Sequence, residues 1–239
     1  MKLLISIACV ALIIACQHTD IMSLNPTKID NILFGDSLKH KCTKLSNEQI
    51  NKLDSVNIKF QLRGCFYACS SNKNKEKSRG EGQSRNIPNY VGKDFPRDGL
   101  YFLINQKEYV SVDTNYLGCK IYLVNTTDSI VKLPAQDSRL DILPEAKNNK
   151  GEWKPIGYNP SSWCGNSYHT LKLDKNEYWE FIIPIYKGSF KTTMRYALTI
   201  NDSLKLYSDE LVTYINPEQF NTENKQGHTV EGFMDPYND

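Results

Sequence analysis

The sequence predicts a mainly β protein built as an antiparallel β-sandwich, and three observations lead to this fold class. Alternating apolar and polar residues recur about every ten residues between positions 100 and 215, as expected for the short strands of a sandwich. No alternation of strand and helix patterns is visible, which disfavours a parallel α/β sheet. Aromatic residues make up 11% of the chain, and their rings pack well on pleated sheets.

The clearest strand patterns lie in residues 153–198, which hold all three tryptophans. Trp179, Phe181 and Ile183 recur at every second position ahead of Pro184, and residues 194–200 show the same period. A period of two places one row of side chains against a core. We therefore predict that this stretch forms the centre of a β-sandwich domain spanning residues 99–216.

A smaller segment, residues 27–69, precedes this domain and predicts a short helix followed by a strand. Ser46 and Gln49 have the spacing of a capping box, which favours a helix from Ser46 to about Asp54. Residues 56–62 then alternate with a period of two, as in a half-buried strand. We expect a small N-terminal α/β extension, rich in disulfides.

Two polar stretches flank the predicted sandwich. Residues 70–98 contain seven basic and four acidic side chains, a net charge of +3, and few apolar residues. Such a composition buries too little apolar surface to order a chain, so we predict a flexible linker or loop. The alternative is a basic arm that contacts anionic lipid headgroups. Residues 217–239 are acidic, and we predict a disordered tail.

The N-terminus resembles the signal sequence of a bacterial lipoprotein. Residues 3–14 form an apolar run too short to span a bilayer, and Ile13, Ile14, Ala15 and Cys16 resemble a lipobox. This resemblance implies lipid transfer to Cys16 and cleavage before it, with residues 1–16 as signal peptide and 17–26 as tether. The alternative is an ordinary secretory signal. We expect a lipid-anchored protein of the cell envelope, at a periplasmic or surface face of the outer membrane.

Two segments inside the predicted sandwich resemble immunoglobulin-like modules of bacterial envelopes. They are YLVNTTDSIVKL at 122–133 and LKLDKNEYWEFIIPIYKGSFKTTMRYAL at 171–198. The resemblance implies an immunoglobulin-like β-sandwich over about residues 100–215. Together with the lipobox-like N-terminus, these segments resemble uncharacterised envelope lipoproteins of Bacteroidetes-like bacteria, a group without a defined activity.

The charge balance argues against a nucleic-acid partner. The chain has 29 basic and 27 acidic residues, whereas nucleic-acid binding needs a concentrated basic face. The partners expected are the membrane, through the lipid, and a protein or glycan of the envelope. No cofactor is expected.

The seven cysteines suggest disulfides, because an exported chain meets an oxidising compartment. Cys9 leaves with the signal and Cys16 would carry lipid. We predict a bridge between Cys119 and Cys164 and a second bridge within the group Cys42, Cys65 and Cys69. A zinc site formed by that second group and His40 is the alternative, although the spacing is not a standard ligand pattern.

The loop around Cys164 supports two functional hypotheses. In the first, the protein is a non-enzymatic binding or assembly module, and aromatic and amide side chains in a Gly/Pro/Ser-containing loop contact the partner. These candidates are Tyr158, Trp163, Asn166 and Tyr168. In the alternative, Cys164 and His169 form the centre of a thiol-dependent enzyme or a protease-inhibitor-like module. No metalloprotease, serine-hydrolase or phosphate-loop motif is present.

Overall fold

The computed structural model describes residues 45–71, 84–92, 95–112, 115–228 and 235–238. These residues are mainly β and form several antiparallel sheets with one short helix, α1 (Asn47–Ile50), and two 3₁₀ helices, Gly165–Ser167 and Pro217–Phe220. The strands are β1 (Leu62–Arg63), β2 (Asn89–Tyr90), β3 (Leu100–Val112), β4 (Tyr116–Asn125), β5 (Val131–Gln136), β6 (Arg139–Leu140), β7 (Ile142–Lys147), β8 (Trp153–Pro155), β9 (Gly157–Tyr158), β10 (Ser161–Ser162), β11 (Tyr168–Leu173), β12 (Glu177–Pro184), β13 (Phe190–Asn201), β14 (Leu204–Tyr207), β15 (Leu211–Ile215) and β16 (Tyr237–Asn238).

A four-stranded antiparallel sheet has the strand order β2–β12–β4–β3. Its strand β12 carries the alternation seen in the sequence. Trp179, Phe181 and Ile183 are almost completely buried, whereas Tyr178 and Glu180 are partly exposed on the other face. The predicted burial of this strand is confirmed.

A five-stranded sheet has the order β14–β13–β7–β8, with β15 also paired to β13. Met194 lies opposite residues of both β7 and β15, and Leu198 lies opposite residues of both β7 and β14. Strands β14 and β15 therefore follow one another along the edge of β13 that faces away from β7. A three-stranded sheet, β11–β5–β6, and two pairs, β1–β9 and β10–β16, complete the topology.

The two largest sheets contribute to one hydrophobic core. The Phe66 ring makes edge contacts with Phe181 of β12, at a centroid distance of 5.2 Å, and with Tyr196 of β13, at 5.6 Å. All three side chains are buried, with at most 2% of their surface exposed. Phe66 thus connects the inner face of the four-stranded sheet to that of the five-stranded sheet.

The capping box of α1 is formed as predicted. The Gln49 backbone N–H donates to Ser46 Oγ at 3.3 Å, and the Ser46 N–H donates to Gln49 Oε1 at 2.9 Å. The helix ends at Ile50, before the predicted limit near Asp54. Only a single turn forms, because none of its residues is buried and packing does not extend it.

The alternating residues of segment 54–68 are buried, but they do not form the predicted continuous strand. Val56, Ile58, Phe60 and Leu62 belong to the same core as the sheets. The backbone makes an isolated parallel bridge with Tyr186 and another with Lys225 before it reaches β1. The segment changes its pairing partner every few residues. The alternation of apolar and polar residues therefore reflects the burial of every second side chain, and not pairing within one sheet.

The stretches predicted as linker and tail contain ordered, hydrogen-bonded structure where they are described. Asn86 Nδ2 donates to the carbonyls of Tyr67 and Glu180 at 3.1 and 2.9 Å. Beyond residue 216, Gln219 and Gln226 are almost completely buried. These polar segments are held by amide and backbone hydrogen bonds together with single aromatic contacts, those of Phe95 with Tyr178 and of Phe220 with Phe190, and composition alone does not reveal such contacts.

The predicted signal peptide and tether lie outside the described residues, as do Cys16, His40, Cys42 and the middle of the predicted linker at 72–83. In the part of the chain that is described, no helix is both long and apolar enough to cross a membrane.

Candidate functional site

The candidate site is the segment 157–168, which we call the aromatic loop. It is attached to its surroundings by three short elements. Strand β9 pairs in parallel with β1, strand β10 pairs antiparallel with β16, and the 3₁₀ helix Gly165–Ser167 leads into β11. Strands β10 and β16 are only two residues long, so most of the loop is irregular backbone.

Tyr158 is buried within this loop and is not part of an exposed surface. Its side chain is 7% exposed, and its hydroxyl donates to the backbone carbonyl of Gln226. The Lys225 ammonium lies 5.3 Å from the ring centroid. Tyr158 therefore anchors the loop to segment 217–228, contrary to the expectation that it contacts a partner.

Trp163 is exposed, with 57% of its surface open to solvent. Its indole Nε1 donates to the carbonyl of Asp235 at 3.1 Å, and its backbone N–H donates to the carbonyl of Pro236 at 2.9 Å. Both polar groups are satisfied inside the protein, while much of the ring remains in solvent.

Tyr168 has the same character and is 51% exposed. Its hydroxyl accepts from the Ser162 backbone N–H and donates to the Ser162 carbonyl, both at 3.0 Å. Asn166 is also exposed, on the 3₁₀ helix between the two rings in sequence. We call Trp163, Asn166 and Tyr168 the aromatic surface, and these are the predicted binding residues that the structure leaves accessible.

The interior of the loop is held together by serine hydroxyls. Ser162 Oγ and Ser167 Oγ are 3.0 Å apart, and the Cys164 backbone N–H donates to Ser162 Oγ at 3.1 Å. Ser162 and Ser167 are both buried. These bonds fix the backbone that carries the exposed side chains.

Cys164 and His169, the residues of the thiol hypothesis, make separate contacts within the described residues. His169 Nδ1 lies 3.1 Å from the Ser167 carbonyl oxygen, and because a carbonyl oxygen can only accept, Nδ1 is the donor in this contact. The buried Nε2 has no hydrogen-bond partner, and within the described residues no hydrogen bond joins the Cys164 thiol to this imidazole.

The predicted disulfides are not formed between any of the described cysteines. Cys119 lies on β4, opposite Tyr109 of β3 and Ile183 of β12, whereas Cys164 precedes the 3₁₀ helix of the aromatic loop. Cys119 therefore lies inside the four-stranded sheet, and it does not form the predicted disulfide with Cys164 of the aromatic loop. Burial raises the pKa of the Cys65 thiol and of the Cys119 thiol to about 11.

A buried polar cluster beneath the aromatic loop was not predicted from the sequence. The Tyr237 hydroxyl donates to Asp137 Oδ2 at 2.8 Å, and the Arg63 guanidinium lies 4.7 Å from the centroid of the same ring. Burial, reinforced by the hydrogen bond to Asp137, raises the pKa of Tyr237 above its ordinary value of 10.0. Asp137 and Arg63 are each 7% exposed.

The hairpin between β5 and β6 presents Asp137 to this cluster. Asp137 and Ser138 have φ angles of 47° and 66°, and positive φ at both central residues is the requirement of a type I′ turn. The following residue, Arg139, is 3% exposed and donates from Nη2 to the Pro160 carbonyl at 2.8 Å. The hairpin is thereby joined directly to the aromatic loop.

Segment 235–238 closes the cluster from the other side. His228 Nε2 and Asp235 Oδ2 are 3.0 Å apart, and the His228 ring makes an edge contact with Tyr237 at a centroid distance of 5.8 Å. Asp137 and Tyr237 are 100 positions apart in sequence. No local pattern marks such a pair, so sequence reasoning could not have found it.

A comparison with models of known protein families finds no family that matches this chain. A comparison with curated proteins likewise finds none that is significantly similar. Within the described residues, no group of three or more histidine, cysteine, aspartate or glutamate side chains could hold a metal ion.

Proposed function

We propose that this protein is a non-enzymatic binding module of the bacterial cell envelope, and that its aromatic surface contacts a protein or glycan partner. One observation carries the proposal. Trp163 and Tyr168 are each more than half exposed, although every polar group of both side chains is hydrogen-bonded inside the protein.

This arrangement suits recognition, because the rings are held in place before a partner arrives. An aromatic side chain has few rotatable bonds, so ordering it on binding costs little entropy. The indole N–H of Trp163 and the hydroxyl of Tyr168 already have partners, so the contact offered is the apolar surface of the ring. Such surface packs against a sugar ring or an apolar side chain, and Asn166 supplies adaptable hydrogen bonding beside it.

The proposed location rests on the lipobox-like sequence that ends at Cys16. A lipid on Cys16 would hold the protein at a membrane, because each buried methylene contributes about 0.8 kcal/mol and two or more chains give stable anchoring. The mass of the protein from its native membrane tests this directly. Acyl chains on an N-terminal Cys16 are expected, and an unmodified thiol at that position would refute the anchor.

We further propose that the four-stranded and five-stranded sheets form an immunoglobulin-like sandwich. The contacts of Phe66 with Phe181 and Tyr196 support this proposal, because they connect the two inner faces. Loops at one end of a sandwich are a common place for recognition residues, and the aromatic loop would be one of these.

The binding proposal is tested with Trp163→Ala on defined probes: purified envelope polysaccharides, peptidoglycan fragments and lipid-A-containing vesicles. If one of these binds the native protein, Trp163→Ala should weaken binding at least about tenfold, as expected for loss of an aromatic hot spot. Tyr90→Ala is the matched control, because Tyr90 is 62% exposed on a different strand, β2.

Site-specific photocrosslinking in intact envelopes tests whether the partner is a protein. A photoreactive residue at Asn166 should yield a discrete adduct that Trp163→Ala removes and Tyr90→Ala leaves in place. Equal binding and equal adducts for both variants would show that the aromatic surface is not the site.

A further inference from the structure

The outer edge of the five-stranded sheet is open along β15. Within the described residues, β15 pairs only with β13 and has no neighbour on its other side. Its register with β13 runs without interruption from Leu211 to Ile215. A strand with one open side offers a row of backbone donors and acceptors to another chain.

The orientation of β13 shows which backbone groups of β15 face outward. The Tyr196 carbonyl accepts from the Ser208 N–H, and the Tyr196 N–H donates to Ser208 Oγ, both at 2.9 Å. Ser208 lies between β14 and β15, so the backbone of Tyr196 faces that edge. Because backbone direction alternates along a strand, Thr192 and Met194 face the same edge and bond to β15.

It follows that Val212 and Tyr214 point their backbone groups away from the sheet. Thr192 and Met194 lie opposite Thr213 and Leu211, which are therefore the residues of β15 that exchange hydrogen bonds with β13. The alternate residues, Val212 and Tyr214, present two N–H and two C=O groups outward. No described residue bonds to these four groups.

The side chains of β15 do not protect this edge. Natural edge strands usually carry a lysine, a proline or a bulge that prevents pairing, and Leu211–Ile215 has none of these. Val212 is 69% and Tyr214 is 50% exposed. The two residues with outward backbone groups are thus also the most exposed apolar residues of the strand.

The pattern of this strand matches itself when it is reversed. If a second copy runs antiparallel with Thr213 at the centre, Val212 lies opposite Tyr214 and Leu211 lies opposite Ile215. A pair of an aromatic and a β-branched residue is favourable across strands. Thr213 then faces its own equivalent, and no charged residue of β15 meets a like charge.

The charges just before β15 are already neutralised within the chain. Asp209 forms a salt bridge with Arg97, and Glu210 lies 3.4 Å from the ammonium of Lys147. In the same register Glu210 would lie opposite Asn216 of the second copy. Two identical edges can therefore approach without bringing unpaired like charges together.

We propose that two copies of this chain associate by antiparallel pairing of their β15 strands about a twofold axis at Thr213. Val212 and Tyr214 of each copy exchange both backbone hydrogen bonds with Tyr214 and Val212 of the other. The pairing joins the two five-stranded sheets into one continuous sheet. This inference is independent of the aromatic surface, which lies on other strands.

Sedimentation velocity of the purified full chain in detergent measures the association. The native protein is expected at twice the mass of one chain at micromolar concentration. Val212→Pro removes one outward N–H without removing a bond to β13, and should weaken association at least tenfold. Val212→Ala is the matched control, because it shortens the side chain but keeps the N–H, and should retain most of the dimer.

Cysteine cross-linking in intact membranes tests the register without requiring a destabilised variant. Thr213→Cys should give a covalent dimer under mild oxidation, because the two residues face each other at a non-hydrogen-bonded position. Val212→Cys should cross-link far less, since it faces Tyr214 of the other copy. The native chain, oxidised in the same way, is the control for cross-linking through its own cysteines.

Three results would overturn the proposal. One is a monomer in sedimentation together with no Thr213→Cys dimer. Another is equal cross-linking at positions 212 and 213, which would contradict the register. The third is cross-linking of Thr213→Cys to a different protein, or to residues 1–44 of its own chain, which would assign the edge to another occupant.

Discussion

Segment 54–68 and the aromatic loop, residues 157–168, both contain little regular secondary structure, yet different interactions hold them in place. Segment 54–68 is fixed by burial, with the rings and aliphatic side chains of Ile58 and Phe66 almost completely enclosed. The aromatic loop is fixed by hydrogen bonds of serine hydroxyls and of segment 235–238, while Trp163 and Tyr168 remain in solvent.

This difference separates the roles of the two segments. Removing a buried ring leaves a cavity and loses the hydrophobic contribution of that ring, so segment 54–68 should control stability. Removing an exposed ring loses little packing, so the residues of the aromatic surface can be changed at small cost to the fold. An irregular segment can thus either stabilise the fold or present exposed residues. Whether its side chains are buried or exposed decides which of the two it does.

The largest expected effect comes from Phe66→Ala. Loss of a fully buried phenylalanine costs about 3–5 kcal/mol in the free energy of unfolding, and here it also separates Phe181 from Tyr196. Urea unfolding followed by tryptophan fluorescence measures this value. Trp163→Ala, the equivalent change in the aromatic loop, should cost less than about 1 kcal/mol, and equal losses for both variants would contradict the comparison.

The next largest effect concerns the cysteine that each segment contains. Burial raises the pKa of Cys65 to about 11, so at pH 8 only about one thiol in a thousand is ionised. We expect Cys65 to be alkylated about 10–100 times more slowly than Cys164 in the native protein. Peptide mapping after timed exposure to iodoacetamide measures both rates. Denatured protein should show no such difference, and a difference that persists there would remove burial as its cause.

Tyr237→Phe should destabilise the support of the aromatic loop by about 1–2 kcal/mol. The change leaves the 7%-exposed Asp137 carboxylate without this donor, and an unsatisfied buried acceptor carries a cost of this size. Thermal and urea unfolding at pH 7 measure the loss. Tyr207→Phe, at a 43%-exposed tyrosine, provides the control and should be nearly neutral.

The stability lost in Tyr237→Phe should also depend on pH. The pKa of Tyr237 is higher in the folded protein than its ordinary value of 10.0, so the folded state keeps this proton after the unfolded state has lost it. The stabilisation is complete below pH 10 and decreases as the pH rises above it. The stability difference between native protein and Tyr237→Phe should therefore shrink above pH 10, and a constant difference would contradict this assignment.

The smallest expected effect is that of Tyr168→Phe. It removes two hydrogen bonds to the Ser162 backbone, but the site is half exposed and water can replace the hydroxyl, so the cost should be about 0.5 kcal/mol. Any larger effect should appear in partner binding, through looser positioning of the ring. A stability loss above about 2 kcal/mol would show that this ring belongs to the core.

Local sequence signals predicted part of this structure correctly. The capping box at Ser46 and Gln49 depends on residues three positions apart, and the alternation in β12 depends on a period of two, so neither needs knowledge of distant segments. The exposure of Trp163 followed from the composition of its loop. The burial of Tyr158 did not, because it depends on Gln226, 68 positions away.

The features that the sequence did not predict are long-range and polar. The contact of Asp137 with Tyr237 and the pairing of β10 with β16 join segments whose compositions suggest turns and disorder. Hydrophobic periodicity cannot detect them, since they depend on single hydrogen bonds between distant residues. The open edge of β15 was also missed, because an edge is a property of the sheet and not of the strand.

The pairing of segment 54–63 has a consequence for how the protein is made. Gln61 exchanges backbone hydrogen bonds with Asn224 and Gln226 at 2.9 Å, and strand β16 completes the support of a loop in the middle of the chain. During synthesis, residues 54–63 are made long before residues 224–226, with which they pair. Folding should therefore be slow, as expected when contacts are distant in sequence, and segment 54–63 can complete its hydrogen bonds only after residues 224–226 have been made.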